Sequence, residues 1–100
     1  MEELLLIVRF DMGADIVDTP PFIVESAEEY RKHFLQWLGD KNNNHRYWYY
    51  HNGVKFGLDY RSEAFVEWLN AFPLADNAEK ARVVAAHVYE YDETLPSIFF

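Results

Sequence analysis

An Asn-Gly pair at positions 52 and 53 constrains the fold of this chain more than any other feature. The pair stands inside the stretch HRYWYYH-NG-VKFGLDY, residues 45–60, which is rich in aromatic residues. A type I′ turn needs positive φ at both central residues, and asparagine and glycine tolerate that conformation best. The stretch is therefore predicted to form a β-hairpin with a two-residue turn.

A two-residue turn also predicts which side chains share a face of the hairpin. The pairs on one face would be His51 with Val54, Tyr49 with Phe56, Tyr47 with Leu58, and His45 with Tyr60. The pairs on the other face would be Tyr50 with Lys55, Trp48 with Gly57, and Arg46 with Asp59. We expect the first face to pack on the core, and the second to be exposed with Arg46, Trp48 and Tyr50 close together. The alternative is that Trp48 is structural, covering Gly57 or buried by the third helix or the C-terminal tail.

The first third of the chain predicts a strand, an interrupted strand and a helix. The apolar run within Glu3–Phe10 favours a central strand. Residues 14–24 favour an edge strand or two short pieces, because Pro20-Pro21 cannot donate ladder hydrogen bonds. An exposed edge there could pair two copies, so we expect a monomer or a weak homodimer. A capping box at Ser26–Glu29 then opens a helix whose apolar stripe ends at Gly39.

The last third predicts a second helix and leaves one segment open. Ser62 is a plausible N-cap for a helix that Pro73 stops. Asp76 with Glu79 would open a third helix, but residues 82–91 also fit a strand with period two. The tail, residues 94–100, is apolar and should dock on the body or join a sheet edge.

These elements together predict an α+β fold in one globular domain, residues 1–100. We expect a small, mainly antiparallel sheet, made of the N-terminal strand and the 45–60 hairpin, packed against two or three helices.

The charge of the chain restricts its partners. It has 17 acidic and 9 basic residues, a net charge of −8, and no cysteine. Such a chain repels nucleic acid and anionic membranes and attracts basic proteins. No apolar run is long enough to span a bilayer, and no signal peptide is recognisable, so a cytoplasmic location is expected.

No motif in the sequence predicts an enzyme. The four histidines lack metal-ligand spacing, and Asp11, Asp15 and Asp18 lack the pattern of a calcium loop. The serines stand outside any nucleophile elbow, and four glycines are too few for a phosphate loop. We therefore expect no catalytic residues, no metal and no cofactor.

Two acidic segments lie beside the aromatic hairpin in our candidate partner-binding surface. Its residues are Arg46, Trp48, Tyr50, Asp11, Asp15, Asp18, Glu90, Asp92 and Glu93. A small, acidic, cysteine-free, aromatic-rich chain with these segments resembles bacterial toxin-immunity proteins, including those of contact-dependent inhibition systems. That resemblance implies an inhibitor that occludes the active site of a basic, nuclease-type toxin. The alternatives are a DNA-mimicking phage or regulatory protein, and a small housekeeping domain or enzyme.

Overall fold

The computed structural model describes residues 4–10 and 13–100. Its elements, in chain order, are β1 (Leu4–Phe10), β2 (Gly13–Thr19), α1 (Pro21–Glu25), α2 (Ala27–Gly39), β3 (Trp48–His51), β4 (Val54–Leu58), α3 (Ser62–Ala71), β5 (Arg82–Val88) and β6 (Ser97–Phe99). The α+β fold class is therefore confirmed.

The main sheet has four strands in the order β5-β2-β1-β6. Strands β1 and β2 form an antiparallel hairpin, β5 pairs antiparallel with β2, and β6 runs parallel to β1. The prediction that the N-terminal strand is central and that the apolar tail joins a sheet is confirmed. One face of this sheet carries Leu6, Val8 and Val17, which are fully buried with the helices.

The 45–60 hairpin does not extend this sheet, contrary to our expectation. Strands β3 and β4 form a separate two-stranded sheet. The reason is that β1 is hydrogen-bonded on both sides, by β2 and by the C-terminal β6, so it has no open edge for the hairpin.

The prediction for residues 14–24 was wrong in two ways. Strand β2 lies inside the sheet, between β1 and β5, so it is not an edge through which two copies could pair. It ends at Thr19, and Pro21 starts the short helix α1 instead of a second strand piece. Proline suits the first position of a helix because its fixed φ is already helical and its missing N–H is not needed there.

Helices α2 and α3 occupy the predicted segments, and Ser26 is the N-cap of α2 as predicted, but the hydrogen bonds of its capping box do not form and Ser62 is not the N-cap of α3. The amide of Ser26 donates to the carbonyl of Ile23 at the end of α1, so it is not available to the Glu29 side chain, and the Ser26 side chain makes no cap bond. Ser62 is the first residue of α3, after the N-cap Arg61. Its hydroxyl donates to the carboxylate of Asp15 instead of capping the helix.

The open question at residues 82–91 is decided in favour of a strand, and the predicted third helix does not form. Exposed and half-buried residues alternate along Arg82–Ala86, which is the period of a strand with one covered face. Asn70 fastens the start of this segment to α3, because its side chain donates to the carbonyl of Ala81 (3.0 Å) and accepts from the Ala81 amide (2.7 Å).

Aromatic rings dominate the core between the sheet and the helices. Phe34 of α2 is fully buried and contacts Phe65 with ring centroids 5.3 Å apart and Phe100 at 5.5 Å. Trp37, about one turn further along α2, stacks on the Phe34 ring. Within the described residues, no helix is long and apolar enough to cross a membrane.

Candidate functional site

The turn of the β3–β4 hairpin has the predicted conformation. Asn52 has a φ of 51° and Gly53 a φ of 76°, as a type I′ turn requires. The first pairs after the turn, His51 with Val54 and Tyr50 with Lys55, are also those predicted.

Beyond Tyr50 the register slips by one residue, and the predicted pairs further along the strands were wrong. Tyr49 lies opposite Gly57 and Trp48 opposite Leu58. Strand β4 therefore contains a bulge that gives Phe56 no partner of its own. A bulge of one residue changes which side chains share a face.

The expected environments are found for Tyr47 and Tyr50 but not for three other rings of the hairpin. Trp48, predicted to be exposed, is only 8% exposed, whereas Tyr49 and Phe56, predicted to pack on the core, are exposed. Tyr47, which precedes β3, is buried as expected.

Trp48 is held by the loop that leads into the hairpin, which explains its burial. Its Nε1 donates to the carbonyl of Asn43 (2.7 Å), and the His45 ring stacks on it with an interplanar angle of 7°. The Lys55 ammonium lies 5.2 Å from the ring centroid. The structural alternative for Trp48 is therefore the one that the packing supports.

His45 and Arg46 fasten the start of the hairpin to the helices. The Nδ1 of His45 accepts from the Tyr47 amide, so its Nε2 donates to the carbonyl of Leu38 at 2.8 Å. The Nη2 of Arg46 lies 3.1 Å from the Glu67 carboxylate of α3. Arg46 thus remains on the surface, as predicted, but it is engaged by the body of its own chain.

The exposed apolar side chains on the hairpin form what we call the hairpin surface, which consists of Tyr49, Tyr50, His51, Val54 and Phe56. Tyr49 and Tyr50 are about half exposed, and Val54 and Phe56 are 62% and 66% exposed. The Phe56 ring lies 6.2 Å from the Tyr49 ring and 6.3 Å from the His51 ring, centroid to centroid. The rings of Tyr49, His51 and Phe56 therefore cluster on one face, whereas Tyr50 alternates with its neighbours along β3 and lies on the other face, beside Lys55.

In the first predicted acidic segment, the two described aspartates, Asp15 and Asp18, do not form an exposed cluster. Asp11 lies outside the described residues. Asp15 is buried, where it accepts from the Ser62 hydroxyl and from the His87 amide (2.9 Å). The Asp18 carboxylate lies 3.2 Å from Arg82. Because β2 is an interior strand, these carboxylates connect neighbouring elements of the fold.

The second predicted acidic segment is exposed. Glu90, Asp92 and Glu93 lie in the connection between β5 and β6. The side chain and the amide of Thr94 both donate to Asp92, and these hydrogen bonds lower the pKa of Asp92 below its usual value. Its carboxylate therefore stays ionised to lower pH than an unbonded aspartate.

A cleft that the sequence did not reveal opens between β2, the start of α3 and β5. Its volume is about 330 Å³. Phe10, Ala14, Val83 and Ala86 contribute apolar wall, and the polar lining residues are Asp15, Asp59, Tyr60, Arg61, Ser62, Glu63 and His87. No local signal could have identified it, since its walls come from three segments that are far apart in sequence, residues 10–15, 59–63 and 83–87.

The histidines and carboxylates of the described residues form no group of three that could hold a metal ion. In the cleft the Ser62 hydroxyl donates to a carboxylate, and the contact of His87 with that carboxylate is through its backbone amide. Comparison with family models, with curated proteins and with solved structures finds no match.

Proposed function

We propose that this protein is an acidic protein-binding inhibitor of the immunity type, which binds a basic, nuclease-type partner with the hairpin surface as its anchor. The observation that carries the proposal is the cluster of exposed apolar rings on a hairpin that is separate from the main sheet. Contiguous exposed apolar surface is characteristic of sites that bind other proteins.

The distribution of charge supports a division of roles between the hairpin and the body. Residues 41–58 contain no aspartate or glutamate, so all of the chain's 17 acidic residues lie elsewhere. An acidic body would steer a basic partner over long range, and contacts of this kind mainly raise the association rate.

The cations of the hairpin do not oppose this arrangement, because the chain itself engages them. Arg46 pairs with Glu67, and the Lys55 ammonium donates to the Asn43 carbonyl and the Asn44 side chain. The surface offered to a partner is therefore aromatic and close to neutral. Large aromatic side chains in such a position are typical binding hot spots and slow dissociation.

In this proposal inhibition results from occlusion. The anchored hairpin would bring exposed carboxylates, such as those of residues 90–93, against the basic active site, where they take the place of substrate phosphates. A DNA mimic would need rows of accessible carboxylates. The burial of Asp15 and the pairing of Asp18 with Arg82 make the 11–18 segment unsuitable for such a row.

The experiment is affinity capture from extracts of the source cells with three forms of the tagged chain. The first is the natural chain, the second carries Tyr49→Ser and Phe56→Ser, and the third carries Val84→Ser and Tyr89→Ser. The third form is a matched control, because Val84 and Tyr89 are also exposed but lie outside the hairpin.

We expect the natural and control chains to recover one basic protein that the hairpin variant loses. With the purified partner, the association rate should fall steeply with salt, and the hairpin variant should dissociate at least tenfold faster. The partner expressed alone should be toxic, and co-expression of this chain should relieve the toxicity. Equal recovery by the hairpin and control variants would overturn the proposal.

A further inference from the structure

We propose that the cleft beside α3 binds an alkylguanidinium or alkylammonium group, and that its occupant in the complex is a basic side chain of the partner. The choice of the partner as the source rests on the function proposed above. The chemistry of the ligand rests on the cleft alone, since it follows from the charges, shape and existing contacts of the lining residues.

The lining of the cleft favours a cation. Its carboxylates belong to Asp15, Asp59 and Glu63, whereas Arg61 is its one guanidinium. The positive end of the α3 dipole would by itself favour an anion. That position is already taken by Asp15, whose carboxylate accepts the hydroxyl of the first residue of α3, so a further anion would be repelled.

The carboxylates of Asp59 and Glu63, on either side of the start of α3, already contact guanidinium groups of the same chain. The Nε of Arg61 lies 2.6 Å from Oδ2 of Asp59, and the Nη2 of Arg46 lies 3.9 Å from the Glu63 carboxylate. These arginine side chains are 57% and 67% exposed. Exposed ion pairs contribute little free energy, so an incoming cation can replace Arg46 at Glu63, which is 59% exposed, at small cost. At Asp59, which is 26% exposed, the cation would join the existing pair with Arg61.

The shape of the cleft suits the stem of a basic side chain as well as its head. Phe10, Val83 and Ala86 provide apolar wall, and arginine and lysine bury their methylene chains along such surfaces. Tyr60 is half exposed beside the carboxylates, where its ring can stack on a guanidinium group. A volume near 330 Å³ accommodates one such side chain with water.

The test is an NMR titration of the isolated, isotope-labelled chain with N-acetylarginine amide at constant ionic strength. We expect saturable shifts concentrated at the amides of residues 59–63 and 86–87. N-acetylglutamate amide, which has the opposite charge, should produce none there. The double variant Asp59→Asn/Glu63→Gln should weaken the binding about tenfold or more, as the loss of charged hydrogen-bond acceptors predicts.

The matched control is Glu90→Gln/Glu93→Gln, which removes the same two charges outside the cleft and should leave the titration unchanged. Shifts that are linear and dispersed over the surface, or equal weakening in both double variants, would overturn the proposal, because only net charge would then matter. Thermal melts of both variants verify that the fold is retained.

Two further titrations separate this inference from the proposed function. The hairpin variant Tyr49→Ser/Phe56→Ser should bind arginine amide normally, so loss of capture and loss of cleft binding are independent results. In the complex with the captured partner, blocked titration at residues 59–63 would identify a partner side chain as the occupant. Normal titration there would assign the site to a small organic cation and would overturn the assignment to the partner.

Discussion

The hairpins β1–β2 and β3–β4 follow the same pairing rules but lie in different environments. In β1–β2, seven consecutive pairs run in unbroken register from Leu4 with Thr19 to Phe10 with Gly13. The hairpin lies between β5 and β6 and forms the centre of the sheet. In β3–β4 the register breaks after two pairs, and no further strand joins it.

The difference teaches that a regular register belongs to a particular pair of strands, since β2 pairs regularly with β1 but through two register shifts with β5. A hairpin with two open edges can hold a bulge as well. Leu6, Val8 and Val17 are fully buried, so a slip in β1–β2 would move them to the wrong face. In β3–β4 the rings of Tyr49 and Phe56 are exposed, so they are available to a partner. The first hairpin thus serves stability and the second presents the proposed binding surface.

The largest effect that tests this contrast is expected at Phe34, whose fully buried ring contacts the aromatic core. Phe34→Ala should lower the free energy of unfolding by about 3–5 kcal/mol, through lost burial and a cavity. Its control is Phe56→Ala on the hairpin surface, which should change stability by less than about 0.5 kcal/mol. Urea denaturation measures both, and similar losses in the two variants would contradict the division into core and binding surface.

Trp48 belongs to the β3–β4 hairpin but is buried, so its removal should lower the free energy of unfolding by an intermediate amount. Trp48→Ala should cost about 3 kcal/mol, since it removes a buried ring and its hydrogen bond to Asn43. Chemical denaturation monitored by far-UV circular dichroism gives the value. A loss below about 0.5 kcal/mol would mean that Trp48 is an exposed side chain, as our sequence-based prediction had it.

The turn should contribute less than the rings. Gly53→Ala places a side chain at a φ of 76°, which should cost about 1 kcal/mol. A Cβ at Gly53 has no neighbouring atom within 4 Å, so the cost is conformational and not a clash. Gly39→Ala, where a Cβ also meets nothing but φ is not positive, is the control and should not be destabilising. If Gly53→Ala and Gly39→Ala had equal thermal stability, the positive φ at Gly53 would not be needed for the turn.

The smallest effect is expected at Asp92, which is fully exposed. Two hydrogen bonds from Thr94 lower the pKa of Asp92, so its charge should persist below the pH at which an ordinary aspartate is half protonated. As the pH falls through this lowered pKa, Asp92 becomes protonated, and the stabilisation that the hydrogen bonds give to its charged form is lost. Carboxyl-carbon NMR titration should show the pKa rising in Thr94→Val, which lacks the hydroxyl donor. An unchanged pKa would show that the side-chain bond is not its cause.

Several predictions succeeded because they depend on neighbours in sequence. The Asn52-Gly53 turn follows from φ preferences, and the α2 helix over 27–39 follows from an apolar stripe with helical period. The errors arose where a distant element competed for a group. The Ser62 hydroxyl, a good cap by sequence, donates to Asp15, which is 47 residues away.

The candidate site was predicted only in part for the same reason. The sequence located an aromatic hairpin within residues 45–60, and Tyr50 is exposed as predicted, but Trp48 is buried and the exposed rings of Tyr49 and Phe56 belong to the face assigned to the core. Of the predicted acidic residues, Glu90, Asp92 and Glu93 are exposed, while Asp15 is buried and hydrogen-bonded inside the fold. The cleft had no sequence signal.

By itself the sequence determined the α+β class, the turn at Asn52-Gly53, the central position of β1, and a strongly acidic chain whose residues 41–58 carry no carboxylate. These properties depend on composition, local conformational preference and periodicity, which act over a few residues. Only the tertiary structure decided the bulge at Phe56, the burial of Trp48, the strand at 82–88 and the cleft. Each of these depends on which remote segment supplies the hydrogen-bond partner or the apolar contact. A local sequence pattern does not carry that information.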